Sequence, residues 1–356
     1  MKQQGDSART ILVTGGGGFL GQAIVRLLIN RGDRVISFSR GYYSELGALG
    51  VKQIPGDISN PVAVENAVKG VDTVYHVAAK AGVWGDYEEY YRINTEGTRH
   101  VIAACKSCGV SHLIYTSSPS VVFEGGDMEG VDETVPYPGN YHAAYPETKA
   151  LAEQAVRLAG GRSQTADGGW RMAKKRWQGA GQGLKTIILR PHLIWGPGDN
   201  HLVPRILKRA KRLRRIGDGK NRVDVIYIEN AAKAHLLAEE ALIRQPELSG
   251  NVYFISQGEP VCLWKMIDDI LQAGGLSPVK GSISPQAAYR FGAVLEWIYK
   301  TFALKGEPPM TRFVARELST SHWFDIRAAR RDLGYVPEVS TEEGLRRLAT
   351  YLKTRY

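Results

Sequence analysis

Cysteine is scarce in this sequence: Cys105, Cys108 and Cys262 are the only three among 356 residues. Three cysteines cannot form a disulfide framework, and Cys105 and Cys108 have no second pair downstream that would complete a metal site. We therefore expect reduced thiols that serve in packing. The eight histidines show no ligand spacing such as H-E-x-x-H, so the sequence predicts no metal centre.

Long apolar segments are also lacking. Residues 1–6 contain no apolar signal core, and the most apolar helical stretch, 287–304, contains Arg290, Glu296 and Lys300. A secretion signal needs an apolar core, and a membrane-spanning helix needs about 20 apolar residues. Neither pattern is found, and we expect a cytoplasmic protein.

The sequence has fewer acidic than basic residues: 36 aspartates and glutamates against 46 lysines and arginines, which gives a net charge of +10. Much of the excess lies in two basic clusters, 171–176 and 208–215. Such clusters are either solvated surface or an attraction for an anionic partner or a membrane, in the form of a peripheral contact. No nucleic-acid recognition motif accompanies them, and we expect no nucleic-acid partner.

What the sequence does contain is a regular alternation of strand and helix patterns in its first half. Short β-branched segments alternate with segments of helical period, which is typical of a parallel sheet with helices on both faces. We predict an α/β fold: a doubly wound parallel Rossmann sheet with a smaller, mainly helical C-terminal substrate lobe. The strand segments are 10–14, 34–39, 52–55, 73–77, 112–116 and 185–189, and the helical segments are 20–30, 61–68, 87–107 and one that begins near Tyr145.

The alternation weakens after residue 196, where helical patterns dominate. In open α/β folds an added lobe covers the carboxyl ends of the strands, where ligands bind. We predict a dinucleotide-binding Rossmann domain over 1–195 and a substrate lobe over 196–356 that is partly interleaved with it. The stretch 160–183 is rich in Gly, Ser, Gln, Lys and Arg, and we interpret it as a basic, exposed insertion, flexible or ordered by a partner.

A glycine-rich turn follows the first predicted strand. Gly15 permits a tight turn, Gly18 lets the backbone approach a pyrophosphate, and Gly21 lets helix and strand pack closely. The helix that follows, with Phe19 and Leu20 at its start, directs the positive end of its dipole at the same point. The strand before, the helix after and the N-terminal position agree, so the sequence predicts a dinucleotide phosphate site.

The end of the second predicted strand should select the nucleotide. An acidic residue there would bind the ribose 2′-hydroxyl and favour NAD(H), but this chain has Ser39 and Arg40. A hydroxyl followed by a guanidinium suits a 2′-phosphate, so NADP(H) is predicted, unless Arg40 is only an exposed loop residue. Asp57, followed by Ile58, could bind the adenine amine, and Asp57 could also cap the helix that begins at Pro61.

Tyr145 and Lys149 lie one helical turn apart and therefore share a helix face. A nearby ammonium and a positive nicotinamide should both lower the pKa of Tyr145 and make it a general acid or base at neutral pH. Ser117 and Ser118 end the fifth predicted strand, where a hydroxyl can orient a substrate oxygen and share developing charge. One of the two serines should only form the turn.

The chain contains a series of motifs in a fixed order: the glycine turn, Asp57, the small residues Ala78-Ala79, Asn94, the serine and the Tyr145/Lys149 pair. In these motifs and their order it resembles the extended short-chain dehydrogenase/reductase family. The resemblance covers essentially the whole length. Ser118 matches the position of the family's catalytic hydroxyl better than Ser117. The resemblance implies that the catalytic residues are Asn94, Ser118, Tyr145 and Lys149, and that further cofactor contacts are Ala78, Ala79, Lys149 and Pro191.

Several segments resemble one branch of that family, the 3β-hydroxysteroid dehydrogenase-like proteins, and two are most similar to the 2-alkyl-3-oxoalkanoate reductases of bacterial long-chain olefin biosynthesis. This resemblance implies NADPH-dependent reduction of a lipid-like β-keto acid with two alkyl chains. It also implies assembly with the pathway's β-lactone synthetase and β-lactone decarboxylase, and we expect a homodimer. The branch segments are 190–199, 223–224, 227–230 and 256–260, and the other two are 311–318 and 321–324.

Other functions compete with this interpretation. A 3β-hydroxysteroid or sterol-4-carboxylate 3-dehydrogenase would use the same residues in the oxidative direction with NAD. A redox-sensing protein would hold NADP without turnover, although such proteins usually lack the Tyr/Lys pair. Pro119 and Ser120 replace the acidic residues of sugar-nucleotide dehydratases, and the apolar C-terminal lobe disfavours an epimerase. Five aromatic residues are predicted either to cover an apolar substrate site or to belong to the core. They are Trp84, Trp195, Trp297, Tyr299 and Phe302.

Overall fold

The computed structural model describes residues 8–165, 169–172 and 183–354. In chain order the strands are β1 (Thr10–Thr14), β2 (Arg34–Ser39), β3 (Lys52–Pro55), β4 (Thr73–His76), β5 (His112–Thr116), β6 (Met128–Val131), β7 (Arg162–Gln164), β8 (Trp170–Met172), β9 (Lys185–Pro191), β10 (Ile194–Trp195), β11 (Arg215–Ile216), β12 (Arg222–Val223), β13 (Ile226–Tyr227), β14 (Asn251–Ile255), β15 (Val261–Cys262), β16 (Ser282–Ile283) and β17 (His322–Phe324). Seven of them form a central parallel sheet of order β3-β2-β1-β4-β5-β9-β14. The order reverses between β1 and β4, and the carboxyl ends of those strands are where open α/β sheets bind ligands.

Both faces of the central sheet are buried. Along β1, Ile11 and Val13 belong to the apolar cluster on one face, and Leu12 belongs to the cluster on the other. Parallel strands covered on both faces are near-continuous apolar runs, which is why β-branched segments marked them in the sequence. The predicted fold class, a doubly wound Rossmann sheet, is confirmed.

Helices cover both faces of this sheet and build most of the C-terminal lobe. The segment predicted as one helix over 87–107 contains a π-helical turn, Tyr91–Glu96, between two α-helices. In chain order the α-helices are α1 (Phe19–Arg31), α2 (Ser44–Ala48), α3 (Pro61–Val68), α4 (Tyr87–Tyr90), α5 (Gly97–Ser107), α6 (Ala144–Ala159), α7 (Leu202–Arg209), α8 (Ile228–Arg244), α9 (Leu263–Ala273), α10 (Pro285–Thr301), α11 (Arg312–Glu317) and α12 (Thr341–Lys353). Shorter helical turns are Pro119–Val122, Ala210–Arg212, Pro246–Leu248 and Ala329–Leu333.

Helix α8 and strand β14 were not predicted. Strand β14 is the seventh strand of the central sheet, and α8 packs against that sheet. Helix α8 packs against α1, and β14 pairs with β9 along its whole length. The buried face of α8 is rich in alanine, including Ala231, Ala234 and Ala238, and small residues give a weak apolar period. The seventh strand therefore comes from beyond residue 195, and the division into domains at that residue stays a prediction.

The C-terminal lobe also contains a small sheet of order β15-β12-β17-β6. Its outer strand β6 comes from the first half of the chain and pairs with β17. Helix α10 packs on α11, and α9 packs on α12. The small sheet therefore joins a strand from the first half of the chain to the C-terminal lobe.

The predicted insertion at 160–183 begins as an antiparallel hairpin of β7 and β8. Arg162 anchors it, because its Nε donates to the carbonyl oxygen of Ser249 at 3.2 Å and its Nη2 donates to the side chain of Asn251. The start of the insertion is thus fixed beside β14. The basic residues 174–176 lie outside the described residues, and a docking role for them stays a prediction.

The three cysteines are free thiols. Cys105 is fully buried, and burial raises the pKa of its thiol to about 12, as a packing role requires. Among the described residues, none of the helices is both long and apolar enough to cross a bilayer.

Candidate active site

The glycine-rich turn between β1 and α1 lies at the switch point of the sheet. Gly15 has a φ of +70°, and a Cβ there would come within 2.9 Å of the main chain of Ala78. A Cβ at Gly21 would overlap the carbonyl oxygen of Gly15. Only glycine fits at these two positions, because the turn is tight and the end of β4 runs directly beside it.

Helix α1 begins at this turn without a side-chain cap. Its N-cap is Gly18, and Phe19 is its first residue. The N–H groups of its first turn and the positive end of its dipole are therefore suited to an anion. The amide of Gly17 donates to the Ser39 hydroxyl at 3.3 Å, and the ring of Tyr43 covers the position that a Gly17 Cβ would take. Bare backbone and a helix N-terminus thus form a cradle that fits a dinucleotide phosphate.

Arg40 and Asp57 lie close together beyond the ends of β2 and β3. Burial favours the neutral form of Asp57, but hydrogen bonds from the amide and hydroxyl of Ser59, both 2.8 Å, and the charges of Arg92 and Arg40 lower its pKa. Arg40 itself is exposed. The outer end of the cradle therefore offers a cation and an ionised acceptor side by side.

The predicted helix cap at Asp57 is wrong. Helix α3 is capped by Asn60, whose Oδ1 accepts from the amides of Val62 and Ala63, both at 3.1 Å. A cap must reach amides two or three residues ahead, and Asp57 is one turn too early. Asp57 instead forms the turn that precedes the cap by accepting from Ser59.

The small residues after β4 are held against the glycine turn. Thr14 Oγ1 accepts from the amides of Val77 and Ala78, both at 3.2 Å, and lies 2.7 Å from Nδ1 of the buried His76. Ala79 is exposed at the sheet edge. A flat ring can therefore lie against this segment without meeting a long side chain.

Two predicted cofactor contacts, Leu20 and Ile58, present no side chain to the cradle. Their side chains are 7% and 6% exposed, and each packs into one of the two apolar clusters. Any contact that they make with a cofactor is made by their main chain.

Tyr145, Lys149 and Ser118 meet at the carboxyl end of β5. Tyr145 and Lys149 lie one turn apart on α6, and Ser118 hydrogen-bonds to Tyr145. The buried Lys149 Nζ donates to the carbonyl oxygen of Thr116 at 2.7 Å and lies 4.2 Å from the centroid of the Tyr115 ring. The structure therefore brings together three residues whose roles were predicted from sequence motifs far apart in the chain.

The pKa of Tyr145 differs from the expectation. Burial raises it, the hydrogen bond with Ser118 lowers it, and the charge of Glu317 raises it, with a net rise. The predicted lowering by Lys149 is not found, because burial lowers the pKa of Lys149 itself to about 7, although Glu153 opposes that shift. A phenol with a raised pKa stays protonated at neutral pH, which suits a proton donor.

The two serines at the end of β5 have different surroundings. Ser118 Oγ accepts from the amide of Ser120 at 3.2 Å and lies 2.9 Å from its hydroxyl, so Ser118 caps the short helical turn that follows. Ser118 also contacts Tyr145, whereas Ser117 lies beside Glu153 on the buried side of α6. The geometry favours Ser118 as the hydroxyl that orients a substrate oxygen.

Asn94 lies in the π-helical turn and is buried. Its Oδ1 accepts from the amide of Lys80 at 2.7 Å, and its Nδ2 donates to Lys80 O and Thr148 Oγ1, both at 3.1 Å. Asn94 thus ties the segment after β4 to the helix turn that carries Lys149. Single π turns are frequent at functional sites, and a catalytic role for Asn94 stays a prediction.

A buried ion pair lies one turn beyond Lys149 on α6. The Glu153 carboxylate accepts from Nη2 and Nε of Arg190 at 2.5 and 3.0 Å, and the Tyr137 hydroxyl donates to it at 2.6 Å. Arg190 directly precedes Pro191, the last residue of β9. The pair therefore fixes the catalytic helix to the segment that was predicted to pass over the nicotinamide.

Glu317, the last residue of α11, is a titratable group near Tyr145 whose role sequence reasoning missed. Burial raises its pKa to about 7, and the charge of Arg205 opposes the rise. The charge of Glu317 in turn raises the pKa of Tyr145. A carboxyl group that titrates near neutrality beside a proton donor is a candidate functional residue. No local motif marked it, because only the docking of α11 brings it close to α6.

Arg205 is the nearby cation that can face an anionic substrate. One of its nitrogens pairs with Glu307 at 3.1 Å, and Glu307 also accepts from the amide of Val83 at 3.2 Å. His192 cannot serve this purpose, because burial and the neighbouring His322 lower its pKa to about 3 and leave it neutral. Arg205 therefore supplies positive charge close to Glu317.

A pocket of about 1000 Å³ lies between the loop that follows β4 and helix α10, beside Glu307. Its wall combines large apolar side chains with five charged ones. The large aromatic and aliphatic lining residues are Trp84, Tyr87, Trp297, Tyr299 and Leu304, and the charged ones are Asp86, Glu296, Lys300, Glu307 and Arg312.

The five aromatic residues that were predicted as either a roof or core lie in three different surroundings. Trp84, Trp297 and Tyr299 line the pocket. Trp195 belongs to the core, where its ring packs at 74° against Tyr227, because its strand β10 is covered by α8. Phe302 lies on the outer surface and is 65% exposed.

A protein-family model matches more than half of this chain. The family model that matches, over residues 12–283, is the 3-beta hydroxysteroid dehydrogenase/isomerase family. The chain belongs to that family. Members of this dehydrogenase family are oxidoreductases, and this chain is an enzyme of that class.

Three relatives are similar to this protein over nearly the whole chain. A 2-alkyl-3-oxoalkanoate reductase of Stenotrophomonas maltophilia (strain K279a) is 49% identical over 95% of this chain and 98% of its own length. A protein of the same name from Shewanella oneidensis is 48% identical over 96% of this chain and 85% of its own length. The mouse sterol-4-alpha-carboxylate 3-dehydrogenase, decarboxylating, is 33% identical over 96% of this chain and 90% of its length. The resemblance to the dehydrogenase/reductase branch is therefore confirmed.

Solved structures share the fold of this family member. The crystal structure of gox2253 superposes with a TM-score of 0.73, at 26% identity, over 97% of this chain and 98% of that chain. MoeE5 in complex with UDP-glucose and NAD superposes with a TM-score of 0.70, at 23% identity, over 97% and 99%. At this level of identity the second likeness concerns the fold alone.

In this 3-beta hydroxysteroid dehydrogenase/isomerase family member, the predicted site residues fall into two groups. The phosphate and nucleotide group lies along the ends of β1, β2 and β3, and the catalytic group lies at the end of β5 and on α6. Their assignment as cofactor and catalytic residues remains a prediction that the experiments below test. Glu317 is the addition that the tertiary structure makes.

Proposed function

We propose that this enzyme reduces a long-chain 2-alkyl-3-oxoalkanoate to the 2-alkyl-3-hydroxyalkanoate with NADPH. The observation that carries the proposal is the 48–49% identity, over 95% or more of this chain, to two proteins named 2-alkyl-3-oxoalkanoate reductase. The cradle at the glycine turn fits a dinucleotide, since a Cβ at Gly15 or Gly21 would close it. A cytoplasmic location is proposed with it.

The proposed reaction uses the group at the end of β5. A reduced nicotinamide, when bound, supplies the hydride that the substrate's C3 carbonyl carbon accepts. Tyr145 donates its phenolic proton to the carbonyl oxygen, and Ser118 holds that oxygen by a hydrogen bond as negative charge develops. Lys149 is held by the Thr116 carbonyl at 2.7 Å, where it can stabilise the phenolate that Tyr145 leaves behind. The carbonyl group, the hydride and the proton together give the secondary alcohol, and the nicotinamide is left oxidised.

The substrate side of the site suits an anionic lipid-like molecule. Arg205 lies beside Glu317 and can attract a carboxylate, while the pocket wall of Trp84, Trp297 and Tyr299 can receive alkyl chains. The raised pKa of Tyr145 keeps its phenol protonated at neutral pH, as a proton donor requires. These features support a β-keto acid.

One pair of assays tests the proposed function. NADPH oxidation is followed with a long-chain 2-alkyl-3-keto acid, and NAD reduction is followed in parallel with a 3β-hydroxysterol. We expect turnover in the first assay. Turnover in the second assay alone would favour the 3β-hydroxysteroid dehydrogenase alternative, which the sterol dehydrogenase relatives at about one third identity support. Cofactor binding without turnover in either assay would favour a redox-sensing protein.

Arg40 should decide the choice of NADP(H) over NAD(H). Arg40→Ala should weaken NADPH binding by about 1.5–3 kcal/mol, because it removes a charged hydrogen bond to the 2′-phosphate, and leave NADH binding nearly unchanged. Dissociation constants from fluorescence titration measure both effects. Arg34→Ala, an exposed arginine at the opposite end of β2, is the matched control and should change neither constant. Equal losses for the two nucleotides in Arg40→Ala would reject the assignment.

Glu317 should make substrate affinity depend on pH near neutrality. Its pKa of about 7 means that it is neutral below that pH and anionic above it, where it repels a substrate carboxylate. The KM for the keto acid should therefore rise about fivefold as pH increases through 7, from a repulsion of about 1 kcal/mol. Glu317→Gln should abolish that rise, and Glu259→Gln, an exposed control, should retain it.

A methyl ester of the same keto acid separates this effect from other titrations. Its KM should not vary through pH 7 in either protein, because the ester has no charge to repel. A rise that persists in Glu317→Gln would assign the pH dependence to another group.

Assembly is part of the proposal as well. The resemblance supports a homodimer and association with a β-lactone synthetase and a β-lactone decarboxylase. Size-exclusion chromatography with light scattering measures the first, and co-purification with the two purified enzymes measures the second. A monomer, or separate elution from both enzymes, would contradict the respective proposal.

A further inference from the structure

Helix α10 and the turn after it expose an unusual number of large apolar side chains. On α10, Phe291, Val294 and Trp297 follow one another at a spacing of three residues and therefore lie along one side of the helix. Two more apolar side chains follow the helix directly. We call these five residues the apolar face: Phe291, Val294, Trp297, Phe302 and Leu304, which are 53, 54, 63, 65 and 45% exposed.

The helix that carries the apolar face is firmly mounted on the protein. Its opposite side contains the buried Ala288 and Gly292, and a Cβ at Gly292 would come within 2.7 Å of the Thr311 main chain. Glu296 accepts from the amide and the Nε of Arg312 at 2.6 and 2.7 Å. Because α10 is fixed on α11 in this way, the apolar face is presented outward by the fold.

Basic residues surround the apolar face. Arg290, Lys300 and Lys305 are exposed next to it. Two hydrogen bonds attach the cluster 208–215 to the segments that flank this helix. The amide of Arg215 donates to Gly281 O at 3.1 Å, in the segment before α10, and Arg209 Nη1 donates to Pro309 O at 3.0 Å, in the segment between α10 and α11.

Three acidic residues line the pocket next to the face, and two of them are paired, Glu296 with Arg312 and Glu307 with Arg205. The third, Asp86, is exposed. The exposed cations Arg290, Lys300 and Lys305 outnumber it, so the surface around the apolar side chains has a net positive charge. An apolar helix face with a cationic border is the pattern of helices that lie in the interface of a bilayer containing anionic lipids.

We propose that the apolar face and its basic border form a membrane-docking surface that lies on anionic phospholipid. The apolar side chains enter the boundary between headgroups and acyl chains, and the lysines and arginines meet lipid phosphates. A second copy of this chain is the less suitable occupant, because two such faces would bring their positive borders together. The proposal concerns this surface alone and does not depend on which carbonyl compound the enzyme reduces.

Co-sedimentation of the full chain with vesicles tests the proposal. Wild-type protein should bind vesicles of phosphatidylcholine with phosphatidylglycerol more strongly than vesicles of phosphatidylcholine alone, and binding should fall as salt rises. The variant Phe291→Ser/Val294→Ser/Phe302→Ser should reduce the partition coefficient about tenfold or more, because three apolar side chains no longer enter the lipid. Lys211→Glu/Arg212→Glu should reduce it about tenfold as well.

The matched control is Val62→Ser/Leu158→Ser, which removes two equally exposed apolar side chains on α3 and α6, away from α10. It should bind vesicles as the wild type does. Thermal midpoints of all variants establish that each is folded.

Three results would overturn the proposal. The first is no binding of the wild type to anionic vesicles, and the second is equal binding by the triple-serine variant and the wild type. The third is a wild-type dimer, without vesicle binding, that the triple-serine variant converts to a monomer, which would assign the face to an interface between two copies.

Discussion

Tyr145→Phe should lower turnover about 10²-fold or more and leave cofactor binding in place. The substitution keeps the ring that packs at the start of α6 and removes only the phenolic proton, whose transfer by a positioned group accounts for a rate factor of this size. Turnover is measured as kcat for keto-acid reduction with saturating NADPH, and cofactor affinity by fluorescence titration. The raised pKa of Tyr145 means that the proton is present throughout the neutral range.

Tyr141→Phe is the matched control for this experiment. Tyr141 is another tyrosine of the same region, and its hydroxyl donates to the carbonyl oxygen of Val121 at 2.9 Å, away from the Lys149 group. Its turnover should stay within a few-fold of the wild type. Near-normal turnover of Tyr145→Phe, or a loss of the same size in Tyr141→Phe, would sink the assignment of Tyr145 as proton donor.

Arg190→Met should destabilise the protein by about 3–5 kcal/mol. The variant leaves the Glu153 carboxylate buried at 0% exposure without its bidentate cation, and breaking one side of a buried pair has a cost of this size. Burial favours the neutral form of Glu153, but in the wild type the charge and hydrogen bonds of Arg190 hold its pKa below the usual value. Equilibrium unfolding in urea measures the difference.

Two comparisons make this prediction sharp. Lys265→Met breaks a surface pair with Asp269 at 2.6 Å and should cost at most about 0.5 kcal/mol. The double variant Glu153→Gln/Arg190→Met should recover much of the stability lost in Arg190→Met, because it no longer buries an uncompensated charge. If Arg190→Met costs no more than Lys265→Met, the buried pair does not stabilise the fold.

The two predicted catalytic residues on α6 show what sequence spacing determines and what the tertiary environment determines. The spacing of four residues placed Tyr145 and Lys149 on one helix face, and the structure has them there. The spacing could not give their pKa values, because these depend on burial and on Glu317 and Glu153, which other elements or later turns supply. The expected effect of Lys149 on Tyr145 was wrong for that reason.

Helix caps and aromatic residues also differ in whether the sequence or the tertiary structure determines them. Asn60 rather than Asp57 caps α3, and this follows from local reach, which the sequence alone could have resolved. Trp195 and Trp297 look alike in sequence, but one is buried under α8 and the other is exposed on α10. Only the packing of distant helices decides which aromatic residue is core and which is surface.

The sequence by itself determined the features that depend on neighbouring residues. These are the parallel strands with their β-branched runs, the turn at Gly15 and Gly21 where only glycine fits, and the Tyr145/Lys149 face. Each arises within about one helix or strand, where the chain's own geometry imposes the pattern.

The tertiary structure decided what depends on contacts between distant segments. It recruits β14 to the sheet from beyond residue 195, pairs Glu153 with Arg190 across 37 residues of sequence, and brings Glu317 to Tyr145. It also attaches the basic cluster 208–215 to the segments before and after α10. No spacing along the chain encodes these contacts, because they arise only when each element buries its apolar face against a partner that is remote in sequence.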